Sequence, residues 1–319
     1  MKQIVFNDFY EFSAAVRNVD CTMMIQHNTS EHVWCINQVT ISKIEIQLGH
    51  LCSGNIIEGQ SRSDGFLYYL PLTETVDYVA NGQLIGKGSV LIFAPQSEFT
   101  VSTKVNHDWC TLFIPTTLLV NSSYNSDYLA QRSSSKNIFL TRSNLKLANQ
   151  LKTIVEKIMS AGSIGNLPSN SSPAAAKIAQ ELLMIGALLL GESHANAKTE
   201  IKGRKKISRD FILQQGHRIL KSNTDKVINV SDIATECGVS ERTVRNVYKE
   251  YYGICPKHYL AFRQLNLVRK ELFERHFDNV TVKEILMKHG IWEFGRFSLN
   301  YKRHFGQSPL ETLKKKFPA

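Results

Sequence analysis

The sequence has no uninterrupted run of about 18 apolar residues, and its opening, Met1-Lys2-Gln3-Ile4-Val5-Phe6-Asn7-Asp8, lacks a basic cluster followed by an apolar stretch. Neither a membrane-spanning helix nor a cleaved secretion signal is expected, and the chain reads as cytoplasmic. Cysteine is sparse: Cys21, Cys35, Cys52, Cys110, Cys237 and Cys255 are scattered through 319 residues, with no pair at Cys-x-x-Cys spacing. That excludes a disulfide framework and reads as reduced thiols. Also missing are a Gly-x-Ser-x-Gly elbow, a phosphate-binding glycine loop and a His-x-His pair with a trailing carboxylate. The ten histidines are dispersed, leaving His107-Asp108 and Cys52 near His50 as the tempting pairs. No catalytic residue, metal ligand or cofactor is therefore assigned, although a metal-dependent barrel enzyme is kept as the alternative from a different class.

The first two hundred residues lack positive charge. They hold 14 Lys+Arg against 16 Asp+Glu, while residues 201–319 hold 24 against 12, so the whole of the chain's +10 arises in the last 119 residues, which carry +12. A near-neutral body joined to a basic module suggests one part that meets a polyanion and one that does not. A solvated, lysine-rich helical surface would give the same asymmetry, so charge alone does not decide.

Between Val33 and Pro115 short β-rich runs alternate with turn residues: 39–41, 43–46, 66–72, 76–79, 89–93 and 111–114. Strands at such spacing predict an antiparallel sandwich or barrel. Tyr78 to Leu84 reads as a hairpin, because Asn81-Gly82 tolerates the positive φ angles of a type I′ turn. After a serine-rich joint at 132–136 the period becomes helical, first through Leu145, Leu147, Leu151, Ile154, Val155 and Ile158, then from Pro173 to Leu190. The second helix is apolar nearly all round, which fits either packing against the sheet and its neighbour or a dimer seam. The polar stretch 192–206 ends in Lys202-Gly203-Arg204-Lys205-Lys206 and reads as an interdomain linker.

Residues 207–319 contain a repeat of about 50 residues. One copy runs from Val230 through Gly238 and Ser240 to Gly253-Ile254-Cys255-Pro256; the other runs from Val282 through Gly290 to Gly306-Gln307-Ser308-Pro309. Each reads as a helix, a tight turn at glycine and a second helix, the helix-turn-helix arrangement. In the first copy Ser231 and Ser240 are the expected helix caps and Gly238 the turn. At 100° per residue, Val244, Val247, Tyr248 and Tyr251 share one side of the second helix, and Arg242, Arg245, Asn246 and Lys249 share the other. Arginine can pair bidentately with guanine and asparagine with adenine, so this face suits base reading. The equivalent positions in the second copy lie 53 residues on, at Gly295, Ser298, Leu299 and Lys302, and none can make a bidentate contact. Lys302, Arg303 and the tail Lys314-Lys315-Lys316 suit phosphates, which fix register without reading sequence, while Arg296 is a candidate reader beside them.

The pattern Ile233-Ala234 to Gly238-Val239-Ser240, the segment Gly253 to Leu260 with Arg263-Gln264-Leu265-Asn266, and Gly306-Gln307-Ser308-Pro309 after Phe297, Tyr301 and Phe305 resemble the DNA-binding module of the AraC/XylS family of bacterial transcription regulators. The resemblance implies two helix-turn-helix units, about 230–252 and 281–305, joined by a linker helix at about Pro256 to Glu274. Residues 1–200 are similar, more weakly, to the β-rich sensing and dimerisation domains that precede such modules, through Leu70-Pro71-Leu72, Asn81-Gly82, Gly88 and Ala94-Pro95. The expectation is an α+β two-domain protein. Residues 1–200 would be an antiparallel, cupin-like sandwich or barrel followed by helices, 201–206 the basic end of the linker, and 207–319 an all-α DNA-binding domain. The resemblance also implies a promoter-binding regulator, an activator, with double-stranded DNA, a second copy of itself, RNA polymerase and a small-molecule effector as partners and no membrane. A non-specific architectural DNA protein is the other alternative.

Overall fold

The computed structural model describes residues 3–25, 33–73, 78–86, 88–121, 138–141, 145–163, 165–192, 194–195, 207–223, 226–274 and 280–314. The serine-rich joint, the basic stretch 201–206 and Lys315-Lys316 lie outside the described residues. Most of residues 1–200 form one compact unit and most of 201–319 another.

Along the first unit run β1 (Ile4–Phe6), α1 (Phe9–Ala15), β2 (Val19–Ile25), β3 (Trp34–Ile41), β4 (Ile44–Leu51), β5 (Asn55–Ser61) and β6 (Gly65–Pro71). Then come β7 (Tyr78–Ala80), β8 (Gln83–Ile85), β9 (Val90–Phe93), β10 (Glu98–Ser102), β11 (His107–Pro115), α2 (Thr116–Asn121) and β12 (Ile138–Thr141). Two long helices, α3 (Leu145–Ser163) and α4 (Pro173–Glu192), precede the short β13 (His194–Ala195). The described strands make an eight-stranded sheet, β1-β3-β4-β11-β6-β9-β12-β13, and a five-stranded sheet, β2-β5-β10-β7-β8.

The strand Gly65–Pro71 shows no polar alternation because both its faces are covered. Phe66, Tyr68 and Leu70 join Ile46, Ile92, Cys110, Leu112 and Ile114 on the face that packs against Leu151, Val155 and Ile158 of α3 and Leu182, Ile185 and Leu189 of α4. The opposite face meets the second sheet: Tyr69 stands edge-on to Tyr78 with ring centroids 6.3 Å apart, and Phe93 lies 4.8 Å from Phe99. Each such side chain contributes roughly 1.5–3 kcal/mol on burial. The first unit is thus a sandwich with a helical layer, as its strand and helix patterns predict.

The fit of α4 depends on Gly186. Tyr68 donates its hydroxyl proton to the Gly186 carbonyl at 2.9 Å. A Cβ at that glycine would stand 2.6 Å from Ile114 Cδ1 and 3.3 Å from the Tyr68 hydroxyl. By length and composition alone α4 could cross a membrane. Its buried Ala175, Ala179, Leu182, Ile185, Gly186, Ala187, Leu189 and Leu190 instead place it in the core. Met184 and Leu188 stay exposed.

The expected hairpin is β7–β8, with Ala80 opposite Gln83 and positive φ at Asn81 and Gly82. Sequence patterning passed over β1, β2, β5 and β10. The segment Asn-Ile-Ile-Glu-Gly-Gln-Ser of β5 looks like a loop by composition, yet Gly59 lets the Asp20 carbonyl come up against the place where a Cβ would sit. Close strand approach, which only the folded chain reveals, makes it a strand.

His107 and Asp108 are not a metal pair. They stand at the start of β11, where successive side chains point to opposite faces. His107 is buried, its Nδ1 3.0 Å from the Val105 carbonyl oxygen, and Asp108 bonds His50 Nδ1 at 2.7 Å on the exposed side. Cys52 is buried, and among the described residues no three His, Cys, Asp or Glu side chains are grouped to hold a metal.

Burial disfavours the imidazolium and pushes His107 down to about 4. The unfolded chain then binds the extra proton first, so this stabilisation is complete above the ordinary histidine value and drains away as pH falls from about 6.5 towards 4. Urea unfolding of the first unit's transition should show roughly 2–4 kcal/mol lost across that window, with His107→Asn flattening the profile. An unchanged pH dependence in the variant would contradict the assignment.

Candidate nucleic-acid interface

The second unit is all-helical among its described residues: α5 (Arg209–Ser222), α6 (Val230–Glu236), α7 (Glu241–Tyr252), α8 (Pro256–Glu274), α9 (Val282–Lys288), α10 (Phe294–Phe305) and α11 (Pro309–Lys314). α6–turn–α7 and α9–turn–α10 are the two expected helix-turn-helix units, and α8 is the expected linker helix.

The first helix-turn-helix starts two residues earlier than the serine pattern implies. Asn229, not Ser231, is the N-cap of α6, its backbone N–H donating to Asp232 at 2.7 Å, and Ser231 lies inside the helix. An asparagine followed three residues on by a carboxylate outcompetes the serine because it satisfies two end amides reciprocally. Gly238 turns the chain at φ +62°, and Ser240 caps α7 by accepting from the Thr243 N–H at 3.2 Å. Gly253 closes the helix in the left-handed region. The second unit repeats the plan: Thr281 and Glu284 cap each other at 3.2 and 2.7 Å, Gly290 makes the turn at φ +67°, and Gly306 closes α10 at φ +76°. Glu293 occupies the position of Ser240 without a side-chain cap, and instead pairs with Arg296 at 3.2 Å.

On α7 the buried residues are Val244, Val247, Tyr248, Tyr251 and Tyr252, while Arg242, Arg245, Asn246 and Lys249 are all exposed. The helical phase read from sequence is the observed one. Arg245 rests on Glu241 at 2.5 Å, an exposed pair that must open to reach a ligand and is weak in water. On α10, Phe297, Tyr301, His304 and Phe305 are buried. Gly295, Arg296, Leu299, Lys302 and Arg303 are exposed, and Ser298 is half-buried. Asn300 is exposed too, although its equivalent Val247 is buried. Offset mapping from the first copy hid that amide; a helical wheel of α10 alone would have revealed it. Trp292, just before α10, is exposed as well.

The linker helix holds both recognition helices through rings. Tyr259 lies 5.1 Å from Tyr248 and stacks on Tyr252 at 4.7 Å, and the Tyr252 hydroxyl bonds His217 Nε2 of α5 at 2.9 Å. Three residues on, Phe262 stacks on His304 at 5.1 Å, and further along α8 the buried Arg269 guanidinium sits 4.4 Å above the Phe305 ring. Gln307 turns its amide oxygen to the same guanidinium at 3.0 and 3.1 Å. Glu271 binds Lys288 at 2.7 Å and His289 at 2.8 Å. Burial opposes the charge on Glu271, but these two hydrogen bonds outweigh it and hold the carboxyl below the usual carboxylate range.

Residues 233–315 match a family model described as a helix-turn-helix domain. The chain is 26% identical over 133 residues to the XylDLEGF operon transcriptional activator 1 of Pseudomonas putida, spanning 42% of this chain and 39% of that protein. It is 28% identical over 139 residues to the probable thc operon regulatory protein of Rhodococcus erythropolis, spanning 42% and 40%. The chain thus matches about two fifths of the length of these relatives. Among solved structures, the AraC-like transcriptional activator CuxR overlays on 90% of this chain and 100% of its own at 13% identity, with a TM-score of 0.45. Residues 233–315 thus carry a helix-turn-helix domain, and over this part the chain is similar to a transcriptional activator and an operon regulatory protein.

Because Tyr248 is fully buried where three helices meet, Tyr248→Ala should cost roughly 3–5 kcal/mol of stability in the C-terminal module. A melting temperature within about a degree of the parent would show that the ring does not bear on the core.

Proposed function

We propose that the chain is a sequence-specific DNA-binding transcription regulator, an activator, that engages promoter DNA with both helix-turn-helix units and answers to a small molecule or partner through residues 1–200. The observation that carries this reading is the pair of recognition helices with exposed basic and amide side chains, tied to one linker helix inside the last 119 residues, which carry +12. In this reading 201–206 is the basic end of a linker and 207–319 the DNA-binding domain. Arg242, Arg245 and Asn246 address base edges and Lys249 a phosphate. Gly295, Arg296, Ser298 and Leu299 line the second groove, and Lys302 and Arg303 hold its phosphates. The activator assignment rests on the regulators to which the module is similar. A homodimer through α4 is supported by the exposed Met184 and Leu188, one helical turn apart. A cytoplasmic location, a contact with RNA polymerase and an effector held by the N-terminal sandwich complete the proposal.

The full chain should bind duplex DNA with log affinity falling against log salt by roughly 0.9 per phosphate neutralised, as counterions are released. Arg242→Ala or Arg245→Ala should cost about 1–3 kcal/mol on the preferred sequence and relax preference at one or two base pairs. Lys302→Ala or Arg303→Ala should weaken preferred and random DNA alike and reduce the salt slope by about one. A salt slope near zero, measured by fluorescence anisotropy, would overturn the DNA-binding reading.

A further inference from the structure

Helix α10 carries an outward stripe that α7 does not have. Trp292 and Leu299 are each 68% exposed, more than any other large apolar side chain among the described residues. Leu299 points away from the buried Phe297, Tyr301, His304 and Phe305, and it stands where α7 carries Asn246. Arg296 precedes it by three residues, and Lys302 and Arg303 follow by three and four, so cations border it on the helix surface. Trp292 lies in the turn just before the helix begins, four residues ahead of Arg296 in sequence. Isolated apolar residues at a surface are ordinary. Two of the largest, set among exposed cations at the face a recognition helix offers, are a different arrangement.

The border of cations selects a polyanion, and the face selects a groove. A DNA duplex displays one apolar group to its major groove, the C5 methyl of thymine. Resting on the reading of the chain as a DNA-binding regulator, we propose that Leu299 and Trp292 recognise thymine methyl groups in the second half-site. The second unit then discriminates thymine from other bases by apolar contact, where the first uses hydrogen bonds from Arg242, Arg245 and Asn246. Gly295 and Ser298 leave room for that approach: a Cβ at Gly295 would meet nothing within 4 Å.

Replacing thymine by deoxyuridine removes the methyl and leaves every hydrogen-bonding group in place, which makes it the discriminating probe. The full-length protein is bound to a duplex obtained by selection from a randomised pool, and each thymine is then exchanged singly. The parent should bind about fourfold more weakly at one or two uracil positions in the second half-site, the worth of one buried methyl group. Leu299→Ala should lose that sensitivity at one of them and Trp292→Ala at another, with both variants melting like the parent because the side chains are exposed. Uracil tolerated everywhere, or equal losses in parent and variants, would overturn the proposal. Variants that keep full DNA affinity yet no longer stimulate transcription would also overturn it, by showing that the stripe faces a protein. Absence of any salt-dependent DNA binding by the parent would instead remove the regulator reading itself, and is told apart because no duplex would be selected.

Discussion

The arrangement of the C-terminal module depends on one element, the linker helix α8, and on the side chains along it that hold both recognition helices. Its 19 residues span about 28 Å at 1.5 Å per residue. That length is comparable with the 34–36 Å between successive major-groove faces of one side of a duplex. Tyr259 fixes α7 near the start of α8, while Phe262 and Arg269 fix α10 further along it. A buried guanidinium is costly unless it is satisfied, and Arg269 is held by the Phe305 ring and the Gln307 amide oxygen. Both recognition helices are thus held against one helix by buried contacts that are in place before any ligand arrives, which lowers the ordering cost of binding.

Within that frame the two units differ in chemistry rather than in geometry. Caps, glycine turns and left-handed closures recur in both, and the buried positions of α7 and α10 largely coincide at an offset of 53. The outward faces diverge: one bears two arginines, an asparagine and a lysine, the other a glycine, a serine, a leucine and a lysine. Packing constrains the first set of positions, whereas the second set is exposed and free of the core's demands.

Much of this was legible in the sequence because helical period and turn chemistry are local. The phase of α7, the Asn81-Gly82 hairpin and the two glycine turns are dictated by residues within a few positions of each other, whereas the span of α8 came from the resemblance. What escaped was non-local. Strands β2, β5 and β10 owe their conformation to partners far away in sequence, as the approach of Asp20 to Gly59 illustrates. Asn229 displaced Ser231 as a cap because its partner Asp232 completes a reciprocal pair that a single-residue preference does not weigh. Asn300 was hidden by reading the second copy through the first, a template that places it where α7 buries Val247.

In the proposed reading one recognition helix reads sequence through hydrogen bonds, and the other adds position and a preference for thymine. Selection of binding sites from a randomised duplex pool by the full-length protein, scored as information content per base pair, tests that division most directly. The expected result is one half-site strongly specified, including guanine or adenine positions that vanish in Arg245→Ala, and a second half-site one helical turn away carrying weak, thymine-restricted information. Two half-sites specified with equal strength, or a second half-site rich in guanine, would contradict it.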